Sequence, residues 1–282
     1  MTGTLAIIAG GGDLPPAVAE AAQKSGRAIF VLALKGSAGR EIEHLPHEFV
    51  SIGEPGRAFR ILKEHNCDEV ILLGQVARPR FADIKLDAKG VLVAPRIIAA
   101  ARKGDDALLR SVVDMFEREG LRAIGIAEAA PSLLAPQGAL GKIAPSADDM
   151  DDIALAVKTV RALGALDIGQ AAAVCGGLVL AVEAAEGTDA MIARVAALPA
   201  NLRGRPGKPE GVLVKAPKAT QDGRTDLPVL GVRTVRNIAA AGLKGVAVQA
   251  GSALIIGREA VTAAADEADM FVYGFARDAY PD

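Results

Sequence analysis

Leu5-Ala-Ile-Ile-Ala9 runs directly into Gly10-Gly11-Gly12-Asp13-Leu14 and then Pro15-Pro16. A short apolar run that stops at a triple glycine reads as a buried strand entering a tight turn. The two prolines suit the first turn of a helix, where a missing N–H costs nothing. That helix is expected to reach Lys24, with Gly26 as its stop. Ala28–Leu34 repeats the strand signal, Gly56–His65 reads as helix, and Glu69–Leu73 as strand closed by Gly74. Asp105–Arg118 is amphipathic, and Ala123–Ile126 is expected as a further strand. Alternation of this kind implies a parallel sheet covered by helices.

A glycine turn between strand and helix can hold a phosphate on its backbone N–H groups. The dinucleotide-binding fingerprint is nevertheless incomplete, because Pro15 stands where the third glycine belongs. No acidic residue occurs between Glu20 and Glu41 to grip a ribose. This counts against a nicotinamide-dependent oxidoreductase and leaves open a sugar-phosphate contact or a purely structural turn. In an open α/β sheet, ligands collect outside the carboxyl ends of the strands. Gly10–Leu14 and Gly74–Arg78 are therefore expected to line one crevice, with Arg78 available to a phosphate or simply exposed. Asp105, after Gly104, reads first as a helix cap.

Pro131 to Gly141 breaks the rhythm and marks a junction: an N-terminal domain over 1–132, a linker over 133–140, and a second domain over 141–282. The second half opens with a helix over about Asp148–Leu163. Ser146 is its expected cap, and Asp148, Asp149, Asp151 and Asp152 suit its N-terminal dipole. Gln170–Cys175 and Leu178–Val182 flank Gly176-Gly177, a strong hairpin signal. Thr188–Leu198 reads as helix and Val212–Lys215 as strand. Val246–Gln249 and Ala253–Ile256 are expected to form a second hairpin around Gly251. A helix from Glu259 and a strand over Met270–Tyr273 close a mixed, hairpin-containing α/β domain.

With 282 residues, 51% of them hydrophobic, there is ample material for two cores. Aromatics are 3%, Trp is absent and the net charge is −2, which together give no footprint for nucleic acid. Cys67 and Cys175 form no CxxC pair and read as reduced thiols. The longest apolar run, Ala171 to Val182, has 12 residues, whereas a span needs about 20. A cytoplasmic location is expected, with any membrane attraction coming from a lipid ligand rather than from a basic patch.

Two stretches of the second half are dense with groups used in phosphate chemistry. Glu183-Ala-Ala-Glu186-Gly187-Thr188-Asp189 lies where a strand gives way to a helix, and Thr188 and Asp189 are natural caps. Lys215-Ala-Pro-Lys218-Ala-Thr-Gln221-Asp222-Gly-Arg224-Thr-Asp226-Leu-Pro228 carries two carboxylates four residues apart among three cations. Mg²⁺ takes hard oxygen ligands, and lysine and arginine neutralise a transferring phosphoryl group. A solvated charged loop is the other reading. His44, His47 and His65 fall outside both stretches, so neither a serine triad nor a histidine-rich bimetallic centre has its parts.

These segments, with Gly74-Gln-Val-Ala-Arg-Pro79, Gly104-Asp-Asp-Ala-Leu-Leu-Arg110 and Gly169-Gln170, closely resemble one bacterial family. It is the UDP-2,3-diacylglucosamine pyrophosphatases unrelated to metallophosphoesterases. The likeness covers nearly the whole chain in order; Ala219, where relatives are expected to carry proline, is a minor departure. The resemblance implies hydrolysis to UMP and 2,3-diacylglucosamine 1-phosphate, with water attacking the phosphorus nearer the sugar. It further implies a step of lipid A synthesis at the cytoplasmic face of the inner membrane, Mg²⁺ dependence and a homodimer. A Rossmann-like domain joined to a distinct second domain, with substrate between them, is the expected build.

On that basis Asp222 and Asp226 are expected to anchor Mg²⁺, with Asp189 or Glu186 assisting. Lys215 and Arg224 would stabilise pyrophosphate charge, and Thr188 and Gln170 would hold sugar or phosphate oxygens. Gly11, Gly12, Asp13 and Gln75 would cover the substrate when the domains close. A non-catalytic carrier of the same lipid or nucleotide sugar is the competing reading.

Overall fold

The computed structural model describes residues 3–76, 84–205, 207–218 and 227–280, apart from the side chains of residues 105 and 106. Within it the chain divides into two units, Met1–Ser132 and Leu133–Asp282.

In the first unit, β1 (Thr4–Ala9), β2 (Ile29–Leu34), β3 (His47–Val50), β4 (Cys67–Leu73) and β5 (Arg122–Ala123) form a parallel sheet. Its order is β3-β2-β1-β4-β5. The order reverses direction between β1 and β4, which defines the switch point of a Rossmann-like sheet. Helices α1 (Leu14–Lys24), α2 (Pro55–Glu64), α3 (Ala88–Ala101), α4 (Asp105–Arg118) and α5 (Ile126–Ala129) connect and cover the strands. Ala6, Ile8, Phe30 and Leu32 pack with Phe59, Leu62 and Phe116 on one face. Leu5, Ile7 and Val31, of opposite parity, are just as buried. Burial on both faces explains why these strands are continuous apolar runs rather than alternating ones.

One sequence-based expectation needs correction in this unit: the strand expected over Ala123–Ile126 ends at Ala123, and Ile126 begins α5 instead. The two glycine turns expected to line one crevice do come together, joined by backbone. Gly11 N–H donates to the Gln75 carbonyl at 2.8 Å, and Gln75 N–H returns the bond to Gly11 at 2.9 Å. A β-carbon on Gly74, whose φ is +86°, would stand 2.7 Å from the Gly11 carbonyl oxygen. The glycines therefore permit loop-on-loop packing at the switch point.

In the second unit, β6 (Gly138–Leu140), β7 (Ala171–Cys175), β8 (Leu178–Val182), β9 (Val212–Lys215), β11 (Gly245–Gln249) and β13 (Phe271–Phe275) form a sheet ordered β6-β13-β11-β9-β7-β8. The central strands β9, β11 and β13 are parallel, while β6 and β7 run antiparallel to their neighbours. Residues 133–140, read as a linker, thus include an edge strand. Helix α6 (Ala147–Ala165) covers one face through Ile153, Ala156, Val157 and Val160. The other face is covered by α7 (Gly187–Ala196), α8 (Val232–Ala240) and α9 (Arg258–Glu267).

The β7–β8 hairpin forms as read, with Gly176 and Gly177 at φ +56° and +76°. Both glycine N–H groups donate to Asp152, at 2.9 and 2.7 Å. That aspartate is thus spent on the turn, and Asp149 on the helix cap with Ser146. The second hairpin does not exist. Val246–Gln249 lies in β11, between β9 and β13, whereas β12 (Leu254–Ile255) pairs in parallel with β10 (Val229–Leu230) in a separate small ladder.

Candidate functional site

In the second unit, the carboxyl ends of β8, β9, β11 and β13 and the amino end of β7 meet at one edge of the sheet. Polar side chains are buried here within an otherwise apolar sheet. Lys215, Glu183 and Gln249 are 5%, 7% and 7% exposed. Each closes an apolar strand, so its head sits where the strand leaves the core.

Register explains how two of them share a face. Lys215 lies opposite Ala171, and Glu183 N–H donates to the Ala171 carbonyl. Glu183 and Lys215 therefore flank one small residue in a row across β8, β7 and β9, two strand spacings or about 10 Å apart. Both point to the face covered by α7, α8 and α9, because Leu213, two residues before Lys215, does so. Lys215 Nζ donates to the Val229 carbonyl at 2.9 Å.

Glu183 organises its neighbours. Its Oε1 accepts from the Thr188 hydroxyl at 2.9 Å and its Oε2 from the Gln170 N–H at 3.4 Å. Gln170 Oε1 is buried and has no hydrogen-bond partner among the described residues. A buried acceptor left open costs free energy unless something else satisfies it. Gln170, Thr188 and Lys215, all expected from the sequence, are thus gathered at one edge. Glu183 stands first in one of the two phosphate-chemistry stretches but had no role assigned to it; a glutamate closing a buried strand was the available signal, as was the glutamine closing β11.

Other expected residues lie elsewhere or point elsewhere. Glu186 is exposed and paired with Arg194; its own backbone N–H, and then Arg194, hold its carboxyl below the usual range. Asp189 pairs with Arg233 at 3.0 Å and accepts from Asn237 at 3.0 Å. Both carboxylates are claimed by arginines in this structure rather than aimed at Lys215. Gly11, Gly12, Asp13 and Gln75 lie at the switch point of the first unit, where the Asp13 side chain does not cap α1. Arg78, Asp222, Arg224 and Asp226 fall outside the described residues. Among the described residues no group of three or more His, Cys, Asp or Glu is placed to hold a metal ion.

Chemically, the edge offers a buried ammonium, a carboxylate fixed by two donors and an open amide oxygen. Such a set suits an anionic, hydroxyl-bearing ligand. Comparison with known proteins agrees in kind. Residues 4–133 match the LpxI N-terminal domain and residues 136–273 the LpxI C-terminal domain. The chain is 49% identical over 270 residues to the UDP-2,3-diacylglucosamine pyrophosphatase LpxI of Caulobacter vibrioides, covering 96% of each chain.

Proposed function

The chain belongs to the LpxI family, and from that premise we propose that it hydrolyses the pyrophosphate of UDP-2,3-diacylglucosamine. The products are UMP and 2,3-diacylglucosamine 1-phosphate, in lipid A biosynthesis. The observation that carries this reading is the extent of the likeness, which runs through both units in order. The buried edge of the second unit supplies chemistry to match. Lys215 offsets pyrophosphate charge in a site of low dielectric, where a fixed cation acts most strongly. Gln170 Oε1 accepts from a sugar hydroxyl, and Thr188, oriented by Glu183, contacts the substrate's oxygens.

Mg²⁺ belongs to the same proposal. The donor chemistry fits it in part: Glu183 is a hard carboxylate at the edge, each of its oxygens accepting one hydrogen bond and keeping a further lone pair. Asp222 and Asp226 would complete the set, with Arg224 beside them in sequence. When bound, Mg²⁺ polarises a phosphoryl oxygen and lowers the pKa of water. Dimerisation and attachment to the cytoplasmic face of the inner membrane are also proposals. No helix among the described residues is long and apolar enough to cross a membrane.

Water attacks the phosphorus nearer the sugar in this scheme. Hydrolysis in ¹⁸O-enriched water is expected to place the label in the lipid 1-phosphate, read by mass spectrometry. Label in UMP would move the attack to the other phosphorus.

A further inference from the structure

Lys215 and Glu183 face one side of the second sheet; a row of amides faces the other. Ala171 pairs with Lys215, and the Ala216 N–H donates to the Gln170 carbonyl at 3.1 Å, so Gln170 lies opposite Ala216. Val248 pairs with Lys215, and Gln249 with Phe275. At the ends of β7, β9, β11 and β13, Gln170, Ala216, Gln249 and Phe275 therefore stand in one row. Ala172, Ala216, Ala247 and Phe275 pack into the core beneath α6, and side chains two residues apart on a strand share a face. Gln170 and Gln249 thus flank Ala216 on the α6 side, two strand spacings or about 10 Å apart.

The polar groups on this side are not all satisfied. Gln249 is 7% exposed, and its amide makes no hydrogen bond among the described residues. Gln170 Oε1 and the Tyr280 hydroxyl are both buried without a partner among them. Tyr280 packs against the same core, its ring 5.7 Å from that of Phe275. Arg161 of α6 holds it there, donating to the Tyr280 carbonyl and, at 2.8 Å, to that of Arg277. Burial raises the Tyr280 phenol, which keeps it a donor at neutral pH. Open polar groups in an apolar surrounding cost free energy, and a ligand that supplies their bonds recovers it. Gln170 as a whole is only half-buried, so rotation of its side chain brings the amide to the rim.

We propose that Gln249 is a further substrate-binding residue, which with Gln170 across Ala216 holds the free hydroxyls of a sugar ring. A hydroxyl both donates and accepts, and an amide offers both kinds of partner, whereas the row carries no charge to receive an anion. Ala216 keeps the space between the amides open to a ring. Ala216 also follows Lys215 directly and faces the other way, so the amide row adjoins the ammonium at the rim of the sheet. The group bonded directly to a phosphate of the substrate is a sugar on either side, the ribose or the glucosamine. This inference rests on the hydrolysis reading for its substrate, and on register and burial for its residues.

Gln249→Met keeps the length and bulk of the side chain and removes its polar end, so it reads the contact rather than a cavity. A hydrogen bond between neutral groups is worth about two- to tenfold in binding. We expect kcat/KM for UMP release to fall by about that factor, with the change carried by KM. Two analogues locate the contact: substrate with a 2′,3′-dideoxyribose, and substrate whose glucosamine lacks its 4- and 6-hydroxyls. On the analogue missing the contacted hydroxyls, wild type should fall to the level of the variant, and Gln249→Met should make no further difference. The analogue that behaves in this way names the sugar. An equal loss on all three substrates, or no loss on any, would overturn the proposal and leave Gln249 a structural amide. Should wild type release no UMP, the hydrolysis reading fails by itself, and calorimetric Kd values for the same three compounds decide the contact by the same comparison.

Discussion

Glu183 holds the Thr188 hydroxyl and the Gln170 N–H at the buried edge of the second sheet. Truncation to alanine leaves both donors without an acceptor, at a cost of about 1–3 kcal/mol. We expect Glu183→Ala to lower the urea midpoint accordingly, and an unchanged midpoint would mean that these bonds do not persist in solution. Lys215, Gln170 and Thr188 could be picked out from the sequence because each stands in a resembling motif. Glu183, in the same stretch as Thr188, had no role assigned to it, because its place beside them comes from register. Only the pairing of β7 with both β8 and β9 places it across one alanine from Lys215. Asp189, whose local context suggests a ligand, is paired in this structure with residues distant in sequence. Its partners Arg233 and Asn237 lie more than 40 residues further along the chain, where no local reading reaches.

At the level of elements, α6 shows how a cap connects to pH. Ser146 and Asp149 form a reciprocal capping box, and Lys244 Nζ lies 2.6 Å from Asp149 Oδ2. Burial alone would push the Asp149 carboxyl up. Lys244, with the Ser146 hydroxyl and N–H, more than offsets this and holds it below the ordinary carboxylate value. A carboxyl depressed in the folded state contributes stability above its unfolded pKa of about 4, and that contribution fades as pH falls through the lower folded value. Asp149→Asn should therefore be less stable than wild type at pH 7, by about 1–2 kcal/mol for a lost cap. The gap in denaturant midpoint should narrow below pH 4; a constant gap into strong acid would contradict the assignment. Strand and helix limits bounded by glycine and proline were largely readable, as α4 and the β7–β8 hairpin show. The β11–β12 hairpin was misread because two apolar runs around a turn do not reveal whether they pair with each other or with strands elsewhere. His47-Glu-Phe-Val50 was too short and polar to register as β3, and α3 lacks the polar–apolar alternation that exposes a surface helix.

At the scale of the molecule, the order of the first sheet follows from βαβ rhythm and right-handed crossovers, so its class could be read without coordinates. The parallel core of the second unit could not. Its strands β9, β11 and β13 end and begin at Lys215, Gly245, Gln249 and Phe271, far apart in sequence, and the hairpin signal at Gly176-Gly177 dominates the local pattern. Family membership then joins the fold to a reaction, and the buried edge supplies residues with the charge and polarity for it. Release of UMP from UDP-2,3-diacylglucosamine by the purified chain, with Mg²⁺, with excess chelator and for Asp226→Ala, tests the central claim most directly. The account predicts release that requires Mg²⁺ and collapses in the variant. A well-folded wild-type protein that releases no UMP with any divalent ion or detergent would contradict it.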